Sequence, residues 1–195
     1  MKVIATLAAA AALLALAGLS AGAQTVQARA GQVKAAQPRT AQAKVGEAKT
    51  AKATLKDADG KEVGSAALTQ TPAGVLIRLV LDGLPPGERA FHIHGVGKCE
   101  PPFASAGPHF NPRGRKHGLM AAGGHHAGDM PNLVVPSDGA LTVEVLNPDV
   151  TLEKGKANSL FGGKGTALVI HASKDDYRTD PAGDAGDRIA CGVIE

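Results

Sequence analysis

No histidine occurs before residue 92 of this 195-residue chain, and all seven lie from there on. A site built on imidazole therefore belongs to the remainder. No cysteine follows the apolar run at residues 3–18, which argues against a lipid-anchored lipoprotein, and the run is short for a membrane span. Residues 24–50 lack aromatics and have three valines as their only large aliphatics. Such a stretch cannot bury enough apolar surface to offset its ordering entropy. Residues 51–195 lack a basic excess, with 15 basic against 17 acidic residues. The positive charge of the chain sits in its first 50 residues, which weighs against a nucleic-acid-binding domain.

Against these absences stand three features. Met1 and Lys2 precede the apolar run, and Ala21, Gly22 and Ala23 give a small-x-small pattern after it. Residues 1–23 are expected to be a secretory signal peptide cleaved before Gln24, a retained anchor being the alternative. Residues 24–50 carry Arg29, Lys34, Arg39, Lys44 and Lys49 against Glu47, and their composition leads us to expect a solvated, disordered linker. Residues 51–195 are enough for one domain with a single core. Its two cysteines, Cys99 and Cys191, meet oxidising conditions in an exported chain, so a disulfide is the default. Two free thiols acting as soft metal ligands are the alternative.

The folded part reads as short strands and turns. Ala51, Ala53 and Leu55 alternate with Lys52, Thr54 and Lys56, a half-buried strand. Residues 57–60 are turn chemistry, with Gly60 able to take positive φ, and 63–68 return as the second arm of a hairpin. Residues 75–81 form an apolar strand interrupted by Arg78. Two prolines and two glycines turn the chain at 82–87. On a fourth strand at 90–94, Phe91 and Ile93 point one way while His92 and His94 point the other. Further strands are expected at 132–135, 141–146, 166–171 and 188–194, with Leu141, Val143 and Val145 inward. Eight short strands without a long helix predict an antiparallel sandwich or barrel, for which a Greek key is the usual connection. GGKGT at 162–166 fails the spacing of a phosphate loop and reads as a strand entry.

Residues 95–129 show no persistent period. A loop of that length inside a compact domain is uncommon and usually functional. It carries His109, His117, the pair His125 and His126, and Asp129 three residues later. With His92, His94 and His171, the donors exceed what one ion requires, which points to a two-metal site. Coordination would order such a loop in place of an apolar core.

The stretches FHIHGVGKC, SAGPHFNP, KHG, HAGD, ALVIHAS and GDRIACGVI, in this order, resemble the copper–zinc superoxide dismutases of the exported bacterial type. The resemblance covers residues 51–195. It implies an eight-stranded Greek-key flattened barrel, immunoglobulin-like, with two long functional loops. It implies that His92, His94, His109 and His171 bind copper, that His109, His117, His126 and Asp129 bind zinc, and that His109 bridges the two as an imidazolate. It implies further that Arg188 stands at the mouth of the copper channel. Asp175 is implied to link histidines of the two metals, and Cys99 to pair with Cys191. His125 is left as a neighbour of the ligands.

The implied reaction is dismutation of superoxide to dioxygen and hydrogen peroxide, protecting the cell envelope. Copper cycles between two oxidation states and zinc does not. Arg188 and His109 are the implied catalytic residues, with one copper ion and one zinc ion per chain. Superoxide is the implied partner; nucleic acid and a stable membrane span are not expected, and the protein is expected as a monomer or homodimer, exported to periplasm, envelope or medium. The 16 residues between His171 and Arg188 are fewer than in the animal enzymes. Lys174 and Arg178 are the cations there that could attract substrate, among Asp175, Asp176, Asp180, Asp184 and Asp187. Two competing functions are a copper- and zinc-binding domain without turnover, and a structural β-domain held by zinc and a disulfide. The first would lose a copper ligand or the channel arginine, and the second would leave His92, His94 and His171 unexplained.

Overall fold

The computed structural model describes residues 49–195, so the expected signal peptide and almost all of the expected linker lie outside the described residues. Nine strands form: β1 (Thr50–Lys56), β2 (Glu62–Thr71), β3 (Gly74–Leu81), β4 (Gly87–Arg89), β5 (Phe91–His94), β6 (Leu133–Val135), β7 (Leu141–Asn147), β8 (Ala167–His171) and β9 (Arg188–Val193). The only helical turn among the described residues is a 3-10 turn at Ala104–Ala106. Among these residues no helix is long and apolar enough to cross a membrane.

Local chemistry accounts for the first strands. In β1 every second residue is buried, so Ala51, Ala53 and Leu55 face the core while the polar residues between them face water. The Asp57 carboxylate then accepts the Asp59 and Lys61 N–H groups at 3.0 and 2.9 Å, and Gly60 takes φ 82°. β2 returns antiparallel to β1 and extends further than expected, to Thr71. Gly64 is required where it stands, because a Cβ there would lie 2.4 Å from the Val80 carbonyl oxygen.

The main sheet runs β5-β8-β9-β1-β2-β3-β7, all antiparallel, and a second sheet pairs β4 with β6. After β3 the chain leaves that end of the sheet for β4 and β5, and β5 lies beside β8 at the opposite edge. β6 comes back to pair with β4, and β7 then pairs with β3. This excursion makes the Greek-key crossing. The expected strand at 90–94 is β5, and a short additional strand, β4, forms at the end of the expected turn, which turns eight strands into nine. At Ala90 the chain stops pairing with β6 and starts pairing with β8; its N–H donates to the Ser173 carbonyl at 2.8 Å and its carbonyl accepts the His171 N–H at 2.9 Å.

Two apolar clusters result. The larger fills the space inside the curled sheet with Leu55, Leu68, Ile77, Leu79, Phe91, Ile93, Leu168 and Ile170, each essentially without exposure. Leu141, Val143 and Val145 point toward it as expected, but are only half-buried because β7 is the edge strand. The smaller cluster joins Phe103 and Ala106 to Ala167, Val169 and Cys191. β8 is therefore buried on both faces, with Leu168 and Ile170 toward the main core and Ala167 and Val169 under the loop that contains Cys99.

Candidate metal centre

β5 places His92 and His94 on the face opposite Phe91 and Ile93, and both imidazoles are completely buried. Two loop segments then lie along β5 as if they were strands, with bridges from His94 to His109 and from His92 to Asp129. Their backbone bonds run Ile93 N–H to Gly128 O at 2.9 Å, Gly128 N–H to Phe110 O at 2.8 Å, and Phe110 N–H to Ile93 O at 2.8 Å. Gly128 permits this approach, since a Cβ there would lie 2.2 Å from the Ile93 oxygen. His171 arrives from the end of β8, opposite Arg188 in register.

Two groups of donors converge. His92, His94, His109 and His171 form one, and His109, His117, His126 and Asp129 form the other, with ligand atoms inside each group within 4.8 Å of one another. His109 is common to both. Its Nδ1 lies 2.8 Å from Asp129 Oδ1, the same oxygen that lies 3.1 Å from His117 Nδ1 and 3.3 Å from His126 Nδ1. His94 and His171 approach each other through their Nε2 atoms at 3.4 Å.

The outer ring nitrogens have acceptors of their own. His94 Nδ1 meets the Gly107 carbonyl at 2.8 Å, and His171 Nδ1 meets that of Gly186 at 3.2 Å. The Asp175 carboxylate meets His92 Nε2 at 2.8 Å and His117 Nε2 at 3.0 Å, which ties one histidine of each group together. When these outer nitrogens carry the protons, the inner lone pairs are free for metals. Two inner nitrogens, His92 Nδ1 and His109 Nε2, are buried without any hydrogen-bond partner. A buried, unsatisfied imidazole nitrogen is costly unless something binds it. This donor set, nitrogen-only in one group and three nitrogens with a carboxylate in the other, suits copper and zinc respectively.

At His94, His109 and His171 the electrostatics agree with that use. Burial, reinforced by neighbouring cationic groups, pushes His94 down to about 2 and His171 down to about 3. Burial also takes His109 to about 4, although Asp129 pulls the other way. These three rings are neutral at physiological pH, the form that coordination requires. For His117, burial opposes protonation, but Asp129 and Asp175 outweigh it and raise the group to about 9. Burial disfavours the charged forms of Asp129 and Asp175, yet their hydrogen bonds to histidines hold both below the usual carboxylate range. Asp129 Oδ2 additionally accepts the Gly118 and His126 N–H groups at 2.9 and 3.0 Å.

Arg188 donates from Nη1 to the Phe103 carbonyl at 2.6 Å and from Nη2 to that of Gly107 at 2.8 Å. Gly107 O is also the partner of His94, so the guanidinium sits one carbonyl away from the all-histidine group. Both carbonyls belong to the loop bonded to β9 through the Cys99–Cys191 disulfide, with Cα atoms 5.6 Å apart. The free-thiol alternative is thereby excluded.

One expectation needs revision, and one set of supporting residues needs adding. Lys174 is not a free cation of its loop, since its Nζ lies 3.6 Å from Glu88. His125 stays outside both donor groups and meets Asp149 at 3.2 Å, which also receives Arg113 at 3.0 Å. Sequence reasoning missed the support of Asp175. The Asn132 side chain donates to the Asp175 carbonyl at 2.9 Å and accepts its N–H at 2.8 Å, while the Tyr177 hydroxyl accepts the Asn132 N–H at 2.7 Å. Tyr177 N–H donates to Asp175 Oδ1 at 2.6 Å from a left-handed backbone, φ 62°. Gly183 leaves the space these groups occupy, because a Cβ there would lie 1.9 Å from Asp175 Oδ1. The glycine inside an aspartate-rich loop was the only local sign of it.

Comparison with known proteins completes the assignment. The family model for copper/zinc superoxide dismutase (SODC) matches residues 62–194. Superoxide dismutase [Cu-Zn] 2 of Aquifex aeolicus is 58% identical over 142 residues, covering 72% of this chain and 83% of that protein. The Caulobacter vibrioides superoxide dismutase [Cu-Zn] is 42% identical over 144 residues, 72% of this chain and 83% of its own. Among solved structures, the Cu/Zn superoxide dismutase from Brucella abortus has a TM-score of 0.63 at 30% identity, covering 75% of this chain and all of its own. A SOD-like protein from Bacillus subtilis has a TM-score of 0.71 at 39% identity, covering 74% and 97%. A Greek-key barrel carrying adjoining four-donor groups that share a histidine defines a two-metal β-barrel protein. Within that class the chain belongs to the copper/zinc superoxide dismutase family. It is an enzyme that dismutates superoxide with copper and zinc.

Proposed function

We propose that His92, His94, His109 and His171 hold the copper, and that His109, His117, His126 and Asp129 hold the zinc. In this reading Arg188 and His109 are catalytic, Asp175 positions one histidine of each set, and residues 51–195 are the enzyme domain. Residues 1–23 are a cleaved signal peptide and 24–50 a basic linker, so the enzyme works outside the cytoplasm and protects the envelope. The disulfide supports an oxidising compartment. The observation that carries the residue assignment is the pair of buried, unpartnered nitrogens, His92 Nδ1 and His109 Nε2, aimed into the histidine group.

Two superoxide anions and two protons yield one dioxygen and one hydrogen peroxide. When bound, copper supplies the one-electron couple for both half-reactions, and zinc adds a second fixed positive charge. The chain supplies the rest. Arg188 keeps guanidinium donors free beyond its two carbonyl contacts and holds the small anion beside the histidine group. His109 faces both donor groups through opposite ring atoms, so its Nε2 is the atom that carries a proton to the nascent peroxide. With Nδ1 turned to the Asp129 group, Nε2 is the one ring atom there that can take up and release a proton toward the histidine group. Asp175 keeps His92 and His117 in the tautomers that point Nδ1 inward.

The test is metal content measured together with turnover. Loaded protein is expected to hold about one copper and one zinc per chain, given four donors to each with His109 shared. His94→Ala should abolish turnover and retain zinc. Full activity in that variant, or in copper-free protein, would overturn the assignment.

A further inference from the structure

We propose that Asp187 limits the encounter with superoxide by weakening the field of Arg188 at the entrance to the copper group; this rests on the reading of Arg188 as the residue that receives the anion. A surface pocket is lined by Pro102, Ala104, Gly186, Asp187 and Arg188. It adjoins the all-histidine group by two routes. Arg188 donates to the Gly107 carbonyl that also meets His94, and the Gly186 carbonyl meets His171. Arg188 and Asp187 are the two charged residues of that lining, one of each sign.

Neither charge is cancelled by a partner. Among the described residues no carboxylate lies within 4.0 Å of the Arg188 guanidinium, whose Nη atoms go to carbonyl oxygens instead. The exposed Asp187 side chain makes no hydrogen bond or ion pair among the described residues, and only its backbone oxygen is engaged, accepting the Ala172 N–H at 2.8 Å. Nearby cations do not replace what Asp187 subtracts. Lys174 is held by Glu88, Lys98 is held by Glu100 at 2.9 Å, and Arg178 is not part of the lining. An approaching anion therefore meets one positive and one negative charge, and the attraction that Arg188 would exert alone is reduced at longer range.

Removing the carboxylate should raise the bimolecular rate roughly two-fold at ~0.01 M ionic strength, the Boltzmann weight of one unit charge met at about 8 Å in water. The gain should vanish near ~1 M, where the screening length is about 3 Å. The experiment uses wild type, Asp187→Asn, Asp187→Lys, Arg188→Ala and, on the far edge strand β7, Glu144→Gln, at matched copper and zinc content. Two readouts are taken across ionic strength: the rate with superoxide, and the Kd of azide followed by copper absorption. Asp187→Asn should gain in both at low salt, Asp187→Lys should gain more, and Glu144→Gln should gain less than Asp187→Asn. Unchanged rate and azide affinity in Asp187→Asn, or a gain that persists at high salt, overturns the role given to Asp187. If Arg188→Ala also changes neither readout, the reading of this pocket as the anion's entrance fails as well. If Arg188→Ala loses both while Asp187→Asn gains neither, only the role of Asp187 fails.

Discussion

The strands β1, β2, β3 and β7 and the loops at 95–132 and 172–187 are ordered by different physics. The strands bury aliphatic side chains on alternate positions, and Leu55, Leu68, Ile77 and Leu79 are wholly inaccessible. Each such side chain contributes about 1.5–3 kcal/mol by leaving water. The loops hold few large apolar groups and are organised around two carboxylates. Asp129 serves three histidines and two backbone N–H groups, and Asp175 serves two histidines and one. A buried carboxylate is tolerable only while its partners stay in place. The sheet therefore carries its own stability, whereas the loops depend on metals, on the disulfide and on each other.

Removing both metals should break that comparison most widely. Chelated protein should lose all turnover. Hydrogen exchange in residues 109–129 and 172–187 should accelerate at least about ten-fold, with β3 unchanged. Equal acceleration in β3 would mean that metals and sheet form one cooperative unit. Cys99→Ser comes next. The bridge closes a loop of 92 residues, and its loss should cost about 2–5 kcal/mol in denaturant melts. It should also free the loop whose carbonyls hold Arg188, so turnover should fall further than metal content. A parallel fall in both would place the disulfide's effect on the metals alone. The smallest effect belongs to the sheet surface. Arg78 and Glu144 pair at 3.4 Å with both side chains about half exposed. Arg78→Ala should change stability by less than about 1 kcal/mol and leave activity intact; a larger loss by thermal melt would show that the outer face of β3 and β7 is not the independent surface described above.

The strands were readable because their cause is local. Period-two burial at 51–55 and the Asp57–Gly60 turn are written in adjacent residues, and the predicted ends of β1, β2, β6 and β8 coincide with the observed ones or differ by up to three positions. The donors were readable as residue types, and the resemblance sorted them into two sets. The extra strand β4 and the change of partner at Ala90 were not readable, because they depend on Leu133–Val135 and on Ser173 and His171, some 40 to 80 positions away. The cradle of Asn132, Tyr177 and Gly183 was hidden for the same reason: each acts on Asp175 across a loop of no fixed period. Lys174 looked like a free attracting cation until Glu88 came within 3.6 Å of it.

Alone, the sequence determined the all-β class, the core face of each strand, the seven histidines with their flanking turns, and the two cysteines. These follow from short-range periodicity and side-chain chemistry. Tertiary structure decided which donors converge, which nitrogen of each ring faces inward, and which charges remain unpaired beside Arg188. Those outcomes depend on distances of a few ångströms between residues far apart in the chain, and only the folded backbone sets such distances.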